Sequence, residues 1–127
     1  MRSTIRYFLR PAFLVMMALP LVALTHSFLL FHTVAEFISV AISMMIFVFA
    51  WYGAGVTGKP MFHFLGSGCF WIAVLDSLHA LSYKGLGLLP VDGANTATQL
   101  WIAARYLQVF VLLGVAFFAP RTWGKGT

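Results

Sequence analysis

Four runs of mainly apolar residues, each close to the length that crosses a bilayer, make up most of this chain. They cover roughly residues 8–25, 32–52, 61–82 and 96–119. A transmembrane helix needs about 20 such residues. In hydrocarbon the backbone must satisfy its own hydrogen bonds, so each run is expected to be a helix. The intervening segments are short and carry the Gly and Pro that mark turns: GAGVTGKP at 53–60, KGLGLLPVDGAN at 84–95, and PRTWGKGT at the end. The expected architecture is all-α. It is an integral membrane bundle of about four transmembrane helices, forming one domain over residues 1–127.

Charge supports this and suggests an orientation. Only 9% of the 127 residues are charged, whereas 61% are hydrophobic. A soluble domain carries about 25% charged residues, so too few are present here to coat a water-facing surface. The net charge of +5 does not point to nucleic acid, because the basic residues form no patch or stripe. Arg2, Arg6, Arg10, Lys59, Arg121 and Lys125 flank the runs on one side, and Lys84 on the other side is balanced by Asp92. The excess of Lys and Arg on cytoplasmic loops then places both termini in the cytoplasm, with outer loops at 26–31 and 83–95. Trp51, Tyr83, Trp101 and Trp123 fall near span ends, where an aromatic belt is expected.

The first run is expected to be a retained span with a kink at Pro20. Its apolar stretch from Pro11 to Phe31, broken only by Thr25, His26 and Ser27, exceeds the roughly 7–15 residues of a signal-peptide core. The single cysteine, Cys69, has no internal disulfide partner and reads as a small buried hydrophobe. The loops are too short to hold an enzyme, so any chemistry lies within the spans or at their outer ends.

Two of the three acidic residues, Glu36 and Asp76, lie inside apolar runs, and each has a histidine at helical spacing. A charged side chain at the bilayer centre costs about 2.5–3.5 kcal/mol on insertion scales. His32 and Glu36 are i, i+4, and Asp76 and His79 are i, i+3, so each pair shares a helix face. A rise of about 1.5 Å per residue puts Glu36 roughly 6 Å below the outer surface, His79 roughly 5 Å and Asp76 roughly 9 Å, with Arg105 about 13 Å deep. His26, Asn95 and Gln99 also fall in the outer half, and Tyr83 at the outer edge.

Several chemistries fit this set. Asp76 or Glu36 can pair with Arg105 as a structural lock. His32, Glu36, Asp76 and His79 can supply the ligands of a transition metal such as zinc, iron or copper. His32 and His79 can be axial ligands of a haem. A small apolar or redox-active molecule can be held by the aromatics, or the group can sense protons. In the ligand reading Arg105, Gln99 and Asn95 are the supporting residues that orient the ligands. Met44, Met45 and Met61 read as packing, not as a soft-metal site. Gly66, Ser67 and Gly68 are expected to let helices approach closely. Gly85, Gly87 and Gly93 read as turn formers.

Three stretches carry a family resemblance: FHTVAEFISV, LDSLHALSYKGLGLLP and GANTATQLWIAARYL. In this order and at these gaps they resemble the membrane-associated sensor domain of the third type, an input module of bacterial signalling proteins. The likeness runs from about Phe31 to about Phe118. The matching residues are His32, Glu36, Asp76, His79, Tyr83, Lys84, Gly85, Asn95, Gln99, Trp101 and Arg105. The resemblance implies a sensory input domain of the bacterial inner membrane, ahead of a cytoplasmic histidine kinase, diguanylate cyclase or phosphodiesterase region. It also implies a homodimer or a separate output protein as partner. Family domains look longer than this chain, with further spans and an output region. No catalytic domain is expected, so the chain is read as a non-enzyme. A small transporter, a structural membrane protein and a membrane metalloenzyme are the rivals. Transport requires a polar path to the inner face, and the inner halves of these runs lack one.

Overall fold

A computed structural model describes the backbone of residues 2–84, 86, 88 and 93–123, and the side chains of 11–84, 86, 88 and 95–118. Among these residues every regular element is helical. The elements are α1 (Arg2–His26), α2 (Phe28–Thr57), α3 (Pro60–Ser82) and α4 (Gly93–Trp123). Three segments are long and apolar enough to cross a membrane: Phe28–Thr57, Pro60–Ser82 and Asn95–Phe118. The stretch Pro11–His26 of α1 is apolar but shorter. The expected charges at Asp92 and Lys125, and the turn glycines Gly85 and Gly87, lie outside the described residues. So do the side chains of Arg2, Arg6, Arg10, Arg121 and Trp123. The chain gathers into two units, Met1–Ile38 and Ser39–Thr127.

In the first unit a single residue, Ser27, separates α1 from α2. Its N–H donates to Ala23 O at 3.1 Å, closing α1. Its hydroxyl accepts from Leu30 N–H at 3.1 Å, capping α2. The outer loop expected at 26–31 is therefore replaced by one residue, and α2 begins at Phe28. The cap explains this, since Ser27 satisfies an amide that a loop would leave to water. Thr25 and Thr33 donate to Val22 O (2.7 Å) and Leu29 O (2.9 Å), so their hydroxyls are satisfied within their own helix.

The second unit is two antiparallel helix pairings. α2 ends at Gly58, whose φ of 64° is the left-handed conformation that glycine adopts without strain. Gly58 N–H donates to Ala54 O at 2.8 Å, and Pro60 starts α3 where no amide donor is required. This tight turn sets the register. Moving back along α2 from Gly53 to Ala50 to Phe47, the partners move up α3 from Phe62 to Gly66 to Phe70. A Cβ on Gly66 would lie 3.4 Å from both Ala50 Cβ and Phe47 O, the near edge of ordinary contact, so the backbones of α2 and α3 come close here.

α3 and α4 pair in the same sense. Along α3 the order Phe64, Gly68, Asp76, His79 meets Gly114, Val111, Arg105, Ala97 on α4. Gly66 and Gly68 are two residues apart, on opposite sides of the helix at about 100° per residue. Hence Gly66 receives α2, while Gly68 receives Val111 of α4. The GSG triplet works as expected, with one glycine for each neighbour and Ser67 exposed between them. Ala97, Ala104 and Val111, spaced seven apart, are the buried positions of α4.

Candidate functional site

The expected site residues divide between the units. His32 and Glu36 lie in the first, on α2, both half-buried. The His32 ring stacks on Phe28, with centroids 6.1 Å apart and planes at 17°. Asp76, His79, Tyr83, Asn95, Gln99 and Arg105 lie in the second unit.

Asp76 is the most deeply buried large side chain described, at 0% exposure. It sits on α3 at the level where Arg105 projects from α4. Arg105 Nη2 donates to both carboxylate oxygens, at 2.6 Å to Oδ1 and 2.5 Å to Oδ2. Nη1 turns along its own helix and donates to Gln108 Oε1 at 2.9 Å. A buried carboxylate needs a cation and hydrogen bonds to offset its lost hydration, and one guanidinium supplies both. The Asp76–Arg105 pair, one of the pairings expected from the sequence, is formed. With both oxygens facing Arg105, the carboxylate acts first as a link between α3 and α4.

His79 lies one turn further along α3, 6% exposed. Its Nδ1 is 2.7 Å from Ala97 O of α4. A carbonyl oxygen only accepts, so Nδ1 must carry the proton. In the neutral ring Nε2 then holds the lone pair and is the atom able to accept a proton or bind a metal. A histidine ligand is commonly oriented in this way, by a backbone carbonyl on its other nitrogen. The main chain at this end of α3 is also satisfied. Ser82 Oγ donates to His79 O at 3.0 Å, and Tyr83 N–H to Ala80 O at 3.3 Å. The Tyr83 ring meets the imidazole edge-on, with centroids 6.4 Å apart.

The three residues read as the supporting set take different positions. Arg105 contacts Asp76. Asn95 and Gln99 lie on an exposed face of α4 and bond each other, Gln99 Nε2 donating to Asn95 Oδ1 at 3.3 Å. They are one turn apart but rotated away from Ala97, Ala104 and Val111. Two contributors escaped the sequence reading. Gln108 lies three residues after Arg105, a spacing that identifies it as a neighbour on the same face. The Ala97 carbonyl is main chain and leaves no signal in the sequence.

Away from this polar end the second unit is apolar and aromatic. A groove of about 290 Å³ is lined by Val40, Met44, Phe70 and Leu78 among others, with the Ser77 hydroxyl turned onto Ala73 O at 2.7 Å. Trp51 packs edge-on against His63 at 5.1 Å, beyond the range of the polar cluster.

A family model described as a membrane-associated sensor domain, MASE3, matches residues 23–126. Neither the curated proteins nor the solved structures contain a match to this chain.

Proposed function

The chain belongs to the membrane-associated sensor domain family, MASE3, and we propose that it receives its signal at the outer end of α3 and α4, through Nε2 of His79. A multi-pass membrane sensor has nearly all its chemistry within or beside the bilayer, and the buried polar side chains of the described second unit, Asp76, His79 and Ser82, lie at this end. The observation that carries the reading is the 2.7 Å contact between His79 Nδ1 and Ala97 O in a buried setting. It fixes the tautomer with the proton on Nδ1 and ties the ring to α4.

In this reading the Asp76–Arg105 pair makes α3 and α4 respond together. A ligand on His79 that prefers one packing of the two helices shifts the equilibrium by its difference in affinity between packings. The shift then reaches the far ends of the helices, where a cytoplasmic histidine kinase or diguanylate cyclase-type output would read it. The charge pattern supports the bacterial inner membrane with both termini inside. The ligand class proposed is a transition metal or a haem, with sensing and no catalysis as the role.

The test is elemental analysis and a visible absorption spectrum of the purified full chain, beside His79→Gln. A Soret band assigns haem, and stoichiometric zinc, copper or iron without one assigns a directly bound metal. Either must disappear in His79→Gln while helicity is kept. A folded wild-type chain with neither band nor metal overturns the metal reading.

A second reading rests on the apolar groove beside Val40, Met44, Phe70 and Leu78, whose one hydroxyl is already satisfied. Such a lining suits a hydrocarbon ligand without a polar head. Its mark would be a lipid that stays bound through purification and is lost on Ala73→Phe.

A further inference from the structure

The Asp76–Arg105 pair balances charge, but it does not satisfy the guanidinium. Arginine carries five N–H donors and no acceptor. Nη2 meets the two Asp76 oxygens, and Nη1 meets Gln108 Oε1. Arg105 Nε–H is buried and meets no acceptor among the described residues. Gln108 adds to the surplus. Arg105 only donates, so the Gln108 atom facing it is the oxygen. The Nε2 group of Gln108 is left with two donors that bond no described residue. A buried donor left unmet is costly, most of all where hydrocarbon replaces water. The side chain of Arg105 is 34% exposed, so the pair opens to the side of α4. The exposed Trp101 and Leu112 flank this opening, four residues before Arg105 and four after Gln108.

We propose that Arg105 Nε–H and the Gln108 amide bind the carbonyl oxygen of an uncharged, lipid-soluble molecule of the quinone type, which enters from the bilayer. Three observations choose this occupant. Every unmet group is a donor, so the ligand must bring acceptors. Asp76 already neutralises Arg105, so an anion would have to displace it, whereas a neutral carbonyl adds a bond and no charge. The site lies about 13 Å deep, near the middle of a hydrocarbon core about 30 Å thick. The ester carbonyls of a phospholipid stay at the interface with their headgroup, far above this level. A quinone has no charged head and carries its carbonyls on a planar ring, for which Trp101 offers an aromatic wall. The reduced quinol presents hydroxyls, which donate as well as accept, to a site that only donates. The oxidised form therefore binds more tightly, and that difference in affinity can bias the α3–α4 contact. No atom of His79 takes part, so the site stands whether or not that histidine holds a metal.

The test is equilibrium binding of a benzoquinone carrying a decyl chain to the full chain in lipid nanodiscs, with empty nanodiscs to subtract partition into lipid. Saturable binding is expected, weaker by roughly threefold in Gln108→Leu, the scale of a polar contact inside membranes. The double variant Asp76→Leu with Arg105→Met removes the guanidinium without stranding the carboxylate. It should weaken binding by roughly tenfold or more, since bonds from a charged donor are the stronger ones. The quinol should bind roughly threefold more weakly than the quinone. Absence of saturable binding, with Arg105 Nε–H met by water alone, overturns the proposal. So does binding that is equal in wild type and Gln108→Leu, or equal for quinone and quinol.

Discussion

The two halves of the α3–α4 contact hold together by different physics. At the outer half, directional bonds cross between the helices: Arg105 to Asp76, and His79 to Ala97 O. At the inner half there is only shape. Val111 fills the space over Gly68, the Phe64 ring fills the space over Gly114, and Phe110 and Phe118 pack edge-on against Phe64 at about the same separation, 6.1 and 6.0 Å. In lipid, burial of apolar surface drives little helix association, so close packing and polar contacts must do it. The described residues that make the inner contact, Phe64, Gly68, Phe110, Val111, Gly114 and Phe118, carry no ionisable group. The ionisable side chains that bond across between α3 and α4, Asp76, His79 and Arg105, lie in the outer half.

The difference can be broken most severely at Asp76. Asp76→Ala leaves Arg105 without its counter-ion; Arg105 is 34% exposed, so the loss should approach only the lower end of the about 3–5 kcal/mol typical of a fully buried pair. Chemical unfolding of the chain in detergent micelles, followed by helicity, measures this. Replacing both partners, Asp76→Leu with Arg105→Met, should recover most of that loss, since apolar isosteres of a buried pair are often neutral. If the double variant is as unstable as Asp76→Ala, the pair is more than a lock.

The inner half is tested by Gly68→Ala. The new methyl overlaps Val111, and overpacking costs about 1–3 kcal/mol. Adding Val111→Ala should restore stability, whereas it should do nothing for Asp76→Ala. His79→Gln comes next. It removes one hydrogen bond, worth about 0.5–1.5 kcal/mol, while abolishing ligand binding. Loss of fold in place of loss of ligand would move His79 from the responsive set to the structural one. The smallest effect belongs to Gly66→Ala. There the methyl just fits against Ala50, and the better helix propensity of alanine, up to about 1 kcal/mol, offsets the crowding. Thermal melts should place it close to wild type and well above Gly68→Ala, although the two glycines are only two residues apart.

Much of the fold was legible before any coordinates. The helical class, four helices and a break before Pro60 follow from run length and from Gly and Pro chemistry, although 53–57, read as part of the turn, continue α2 as far as Thr57. The start of α2 was also legible in principle, because a serine before FLL is an N-cap signal, but the polar cluster THS was read as the edge of a loop. Within the site, helical spacing put Asp76 beside His79, yet it left open whether Asp76 or Glu36 would meet Arg105. It also grouped Asn95 and Gln99 with Arg105 by depth. Depth depends on residue number alone, whereas direction depends on how α4 is rotated, and that rotation turned the two amides outward.

The amino-acid sequence alone determines that this chain makes membrane helices, because a backbone in hydrocarbon must bond to itself and does so locally. It also places the ionisable groups at a given level. Which of those groups touch was decided only by tertiary structure. The approach of α3 to α4 through Gly68, and the rotation of α4 that it sets, bring Arg105 onto Asp76 and the Ala97 carbonyl onto His79. Contacts between helices depend on register and rotation together, and no single helix carries that information.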